Sequence, residues 1–165
     1  MRKNKISLTI FLLLLGGFFT FVHGQYITSN WIPWNAAVPP IRNEAGIDYD
    51  YTEIESPNNQ LLLNAGQFIW WWKVSVHLSF TNLPEGVTIS ACRTGNGVNS
   101  LFTAFITGHL NDYKEITTSP QGYFFYGYDR YRNIPIKYKI SGISVLRPTG
   151  TYQATVTYTI TSGNP

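Results

Sequence analysis

Residues Gln67 to Phe80, QFIWWWKVSVHLSF, separate into two parities. Phe68, Trp70, Trp72, Val74, Val76, Leu78 and Phe80 share one and are all apolar; Ile69, Trp71, Lys73, Ser75, His77 and Ser79 share the other. Successive side chains of a strand point to opposite faces of a sheet. The pattern therefore predicts a long strand with Trp70 and Trp72 in the core and Trp71 on the opposite face, so the triple tryptophan is not one continuous aromatic plane. Burying one large ring removes about 150–250 Å² from water, a gross gain of roughly 4–6 kcal/mol at about 25 cal/mol/Å². Set against a net domain stability of roughly 5–15 kcal/mol, two such rings belong inside. A strand of this length would reach roughly 43 Å, about twice the usual strand, and is expected to bend or bulge. Trp71 has two readings: a ring covered by the SNWIPW segment, Ser29–Trp34, or an exposed ring for glycan stacking or partner contact.

The same alternation recurs along the chain. Ile47–Glu55, Val87–Arg93, Leu101–Thr107, a short stretch near Tyr113–Thr117, and Tyr123–Tyr128 read as strands, with a brief apolar patch at Leu61–Leu63. In Ile134–Ile140, Ile134, Ile136, Tyr138 and Ile140 face one way and Pro135, Lys137 and Lys139 the other; the proline suggests an edge or a strand start. In the last stretch Tyr152, Ala154, Val156, Tyr158 and Ile160 alternate with Gln153 and three threonines. Glycine, proline, asparagine and serine clusters punctuate the strands, and TGNGVNS, Thr94–Ser100, reads as a hairpin turn. No helical period is present. The expected fold is all-β: an antiparallel β-sandwich of about seven to nine strands, immunoglobulin-like, with a closed barrel as the alternative.

The N-terminus reads as processing signal. Arg2, Lys3 and Lys5 precede the apolar run Ile6–Val22, and Val22 and Gly24 stand at the small-residue positions before Gln25. Residues 1–24 are thus expected to be a cleaved secretory signal peptide, 25–46 an extended lead-in, and 47–165 the β-domain. No second long apolar segment follows, so no membrane span is expected after cleavage. Removing three basic residues from the twelve lysines and arginines leaves nine, against nine aspartates and glutamates. A near-neutral mature chain carries no electrostatic footprint for nucleic acid. Cys92 is the one cysteine, so no intramolecular disulfide can form, and it reads as a small strand residue.

The chemistry of catalysis is sparse. Asp48 and Asp50, followed by Glu53 and Glu55, read as the wet face of an amphipathic strand. No metal-protease, EF-hand, phosphate-loop or nucleophile-elbow motif occurs. His77 and His109 read as surface histidines. No enzyme activity, cofactor or metal is expected. The unusual segment is GYFFYGYDRYR, where Tyr126, Tyr128 and Tyr131 crowd around Arg130 and Arg132. Tyrosine and arginine are favoured at binding hot spots. The candidate contact residues are therefore Trp71, Tyr126, Tyr128, Arg130 and Tyr131.

The end of the chain, RPTGTYQATVTYTIT, resembles the closing strand of secreted bacterial immunoglobulin-like and pilin- or spore-coat-U-like sandwiches, through Gly150, Tyr152, Ala154, Val156 and Tyr158. The cysteines common in those families are missing. The resemblance implies an exported structural or adhesive protein of a bacterial surface or periplasm, engaging a protein partner or itself, with Gln25–Glu44 as the donor-strand candidate if chaperone-guided assembly occurs. The alternative is a carbohydrate-binding module that takes a glycan on its exposed aromatic residues.

Overall fold

A computed structural model describes residues 24–32, 34, 36, 53–99, 103–119, 121–144 and 150–165. The leader, most of the lead-in, and Asp48 and Asp50 lie outside the described residues. Those described are all-β, with nine strands: β1 Tyr26–Trp31, β2 Glu53–Glu55, β3 Leu61–Thr81, β4 Thr88–Arg93, β5 Val98–Asn99, β6 Phe105–Thr107, β7 Lys114–Glu115, β8 Phe125–Ser141 and β9 Ala154–Ser162. All pairings between them are antiparallel and belong to one sheet, which does not close into a barrel.

Two long strands organise the sheet. β3 pairs with β8 along one edge, and with β1 and then β9 along the other. β8 carries β6, β5 and β4 in succession on its far edge, and β2 beyond the end of β3. The two predicted strands Tyr123–Tyr128 and Ile134–Ile140 are thus parts of one. Pro135 is not at an edge. Its carbonyl accepts Thr94 N–H at 3.0 Å, so its nitrogen also faces the loop between β4 and β5, where no ladder bond is needed. That loop is not a hairpin turn either, because β4 and β5 lie in line along the same strand rather than against each other.

The sheet folds back on itself. Leu61 pairs with Ile136, two residues from Tyr138, while Tyr158 pairs with Val76. In a flat sheet the run from Leu61 to Val76 would hold the two tyrosines roughly 50 Å apart, yet their hydroxyls are 2.8 Å apart. The core fills the inside of this fold: Trp72, Val74, Val76 and Leu78 from β3, Ile89 and Ala91 from β4, Ile134 and Ile136 from β8, and Ile160 from β9. The alternations predicted for Ile134–Ile140 and for the last strand set these residues inward.

Trp70 departs from expectation. It is 51% exposed, while Trp72 is fully buried. The cause is a bulge: Gln67 pairs with Asp129 and Trp71 with the next residue, Tyr128, so Phe68, Ile69 and Trp70 are inserted between two successive pairs of the ladder. An odd insertion switches parity. Leu61, Leu63, Ala65 and Gln67 are buried before it, and Trp72, Val74, Val76 and Leu78 after it. Ile69 adopts φ +53°, a left-handed conformation costly for a β-branched side chain, and donates its N–H to Asp129 Oδ1 at 3.2 Å. Gly127 permits Trp72 to lie across β8. A Cβ there would stand 2.6 Å from the indole and 2.6 Å from the Phe105 carbonyl.

Candidate functional site

The bulge sets three apolar side chains on the surface beside Trp71. Phe68 is 37% exposed and Ile69 46%. The Arg130 guanidinium lies 5.1 Å from the Phe68 ring centroid, a cation–π contact at the rim. Trp71 itself is half-buried and stands opposite Tyr128, which in turn pairs with Phe105 of β6. Tyr126 is the next residue on that face of β8. The rings form one packed cluster: Trp71–Tyr128 at 5.4 Å, Trp71–Phe105 at 6.0 Å, Phe105–Tyr126 at 6.1 Å and Tyr123–Tyr126 at 5.1 Å. Phe105 and Tyr123 are exposed at its border.

Trp71 is thus covered on its flanks by Phe105, Tyr126 and Tyr128. The expected cover from Ser29–Trp34 is not what the fold supplies, because β1 pairs with Gly66 to Leu61 and Trp31 ends opposite Leu61. The ring planes are inclined by 67° for Trp71–Phe105, 62° for Trp71–Tyr128 and 44° for Trp71–Tyr126. Edge-to-face packing of this kind satisfies the rings' quadrupoles against one another, and it gives no flat shelf. Of the predicted contact residues, Trp71, Tyr126, Tyr128 and Arg130 are brought to one side. Tyr131 is placed elsewhere: it is buried against Trp72 at 6.4 Å. Phe68, Ile69, Trp70 and Phe105 join the surface although sequence parity did not single them out. The alternation gave no sign of the bulge beyond the excessive length of the strand.

A second feature is a cleft of about 650 Å³ where the two ends of the folded sheet meet. Trp31, Trp34, Ala154, Val156 and the hydrogen-bonded Tyr138–Tyr158 pair are among the residues that line it. Burial pushes both phenols up, Tyr138 to about 12 and Tyr158 well above its ordinary value, so both hydroxyls are neutral.

The polar face of β2 and β8 carries ion pairs. Lys137 Nζ lies 2.5 Å from Glu55 Oε2, Lys139 Nζ lies 3.2 Å from Glu53 Oε1, and the Tyr113 hydroxyl donates to Glu55 Oε1 at 2.9 Å. The hydrogen bonds from Lys137 and then from Tyr113 hold the Glu55 carboxyl below its ordinary value. A depressed carboxylate adds stability that is present above its unfolded pKa of about 4.3. That increment is lost as the pH falls through the lower folded value. Glu55 is 46% exposed, so the increment is small, about 0.5 kcal/mol. Replacing Glu55 by glutamine is expected to lower the melting temperature by about 1–3 °C at neutral pH and to leave it unchanged at about pH 2. Thermal scans of both proteins at the two pH values check this.

Other reactive groups occupy ordinary places. Cys92 is buried in β4 and burial pushes its thiol up, which keeps it protonated. His77 is half-buried, and His109 pairs with the exposed Asp112 at 3.1 Å. Among the described residues no three histidine, cysteine, aspartate or glutamate side chains converge to hold a metal ion. No family model, curated protein or solved structure matches the chain. The likeness of its closing strand to secreted bacterial sandwiches therefore rests on those five residues alone.

Proposed function

We propose that this is an exported, non-catalytic β-protein of a bacterial surface, periplasm or extracellular space, which serves as a structural or adhesive module by binding a protein partner on its aromatic face. The observation that carries the reading is the Phe68–Trp70 bulge. The ladder passes directly from Gln67↔Asp129 to Trp71↔Tyr128, so pairing does not require the three residues between. They are exposed, apolar and include an isoleucine in a strained conformation. Strain held at an exposed apolar site is a pointer to function rather than to stability. The flanking tryptophan, tyrosines and Arg130 have the composition of a contact hot spot.

A glycan remains the second reading, favoured by the exposed Trp70 ring alone. The inclined planes of Trp71, Tyr126 and Tyr128 favour a protein, whose side chains interdigitate with tilted rings, over a sugar ring that needs a flat one. The chain from Gln25 onward is expected to bind members of an extracellular-protein panel and to lose that binding when Phe68 and Trp70 are both replaced by serine. Binding confined to a glycan array and lost in the same variant would favour the sugar instead. No signal on either would contradict both readings.

A further inference from the structure

β9 is a nine-residue strand, ATVTYTITS, and among the described residues it pairs only with β3. Gly163 N–H donates to the Trp71 carbonyl at 3.0 Å, which fixes the phase of its ladder with β3. Bonded pairs then follow at Lys73↔Thr161, Ser75↔Thr159 and His77↔Thr157. The N–H and C=O groups of Val156, Tyr158 and Ile160 consequently point away from β3. Among the described residues no strand pairs with that outer edge. Natural edges are blunted by lysine, proline, inward charge or a bulge, and β9 has no charged residue and no proline.

We infer that β9 is the interface for a second copy of this chain, paired antiparallel with its own β9 across a two-fold axis at Tyr158. The strand is self-complementary about that residue: Val156 meets Ile160, Thr157 meets Thr159, Thr155 meets Thr161 and Ala154 meets Ser162. Valine faces isoleucine, tyrosine faces tyrosine, and threonine faces threonine, a favourable cross-strand pair; only the end pair, Ala154 with Ser162, is mixed. The register also pairs the outward backbone groups, because Tyr158 faces Tyr158 and Val156 faces Ile160 as hydrogen-bonded pairs, closing roughly six bonds. An isologous contact of this kind is complete with two copies. It also extends the sheet over the apolar cleft, whose wall includes Ala154, Val156 and Tyr158. The contact uses a strand edge, not the aromatic face, so either can fail without the other.

The test is charge complementation, read by sedimentation from low to high micromolar concentration. The chain from Gln25 onward is expected to form a dimer. The variant T157K/T159K places lysine opposite lysine across the axis, and T157E/T159E places glutamate opposite glutamate; each alone is expected to be a monomer. An equimolar mixture is expected to restore the dimer, which a misfolded variant could not do. A wild-type monomer throughout the range would overturn the proposal. So would a dimer that persists in both charged variants, or a mixture that stays monomeric.

Discussion

Replacing Arg93 by methionine is expected to destabilise the protein by about 3–5 kcal/mol. Arg93 closes β4 and is fully buried. Its Nε donates to the Gly108 carbonyl at 2.7 Å, and its Nη1 donates to Asn96 Oδ1 at 2.9 Å and the Gly95 carbonyl at 3.3 Å. The guanidinium lies over the Phe125 ring at 5.5 Å. One side chain thus fastens the loop after β4 and the turn after β6 to the core. Burial brings its pKa down to about 10, so it remains a cation at neutral pH. Methionine fills the volume but strands the acceptors, each at a cost of about 1–3 kcal/mol. Lysine is expected to recover less than half of the loss, because one ammonium cannot serve acceptors on two separate loops. Urea unfolding measures both variants, and a loss under about 1 kcal/mol for methionine would contradict this role.

Alanine replacements of the three adjacent tryptophans are expected to differ widely. Trp72→Ala should cost about 3–5 kcal/mol. Its ring is fully buried, packs edge-on against Phe125 at 6.0 Å, and donates Nε1–H to the Asp129 carbonyl. Trp71→Ala should cost about 1–2 kcal/mol, since its ring is half-buried among three others. Trp70→Ala should stay within about 0.5 kcal/mol, as an exposed residue on a bulge. Unbroken alternation through Phe68–Phe80 would instead make Trp70 and Trp72 equally costly. The ranking therefore separates the bulged strand from the regular one.

The alternations of Ile134–Ile140 and of β9 were legible because each stretch reports a single inward parity: Ile134 and Ile136 in one, Val156 and Ile160 in the other. All-β character followed from the same signal. β8 as a whole switches parity between Tyr131 and Ile134, at an irregularity in its ladder with β3. The excessive length of the strand Phe68–Phe80 signalled a bulge, but its place was not legible. Phe68, Ile69 and Trp70 are as apolar as the core residues after them, so hydrophobicity continues across a point where parity changes. Pro135 misled for a related reason: a missing donor marks an edge only when no gap lies opposite, and here the β4–β5 loop provides one. Tyr131 misled because Arg130 and Tyr128 beside it face outward. Its own parity places it with Trp72. Candidate residues could be named from composition, but which of them share a surface depended on register that sequence alone does not print.

In the proposed function, Phe68, Ile69 and Trp70 are displayed for contact rather than for stability. Binding to the protein partner, measured for the wild type and for F68S/W70S alongside urea unfolding, tests it most directly. The expected result is an unfolding free energy within about 1 kcal/mol of wild type, with affinity lower by at least about a hundredfold, as follows from the loss of a central aromatic anchor. A variant that binds as tightly as the wild type, or that loses binding only because it has lost several kcal/mol of stability, would contradict it.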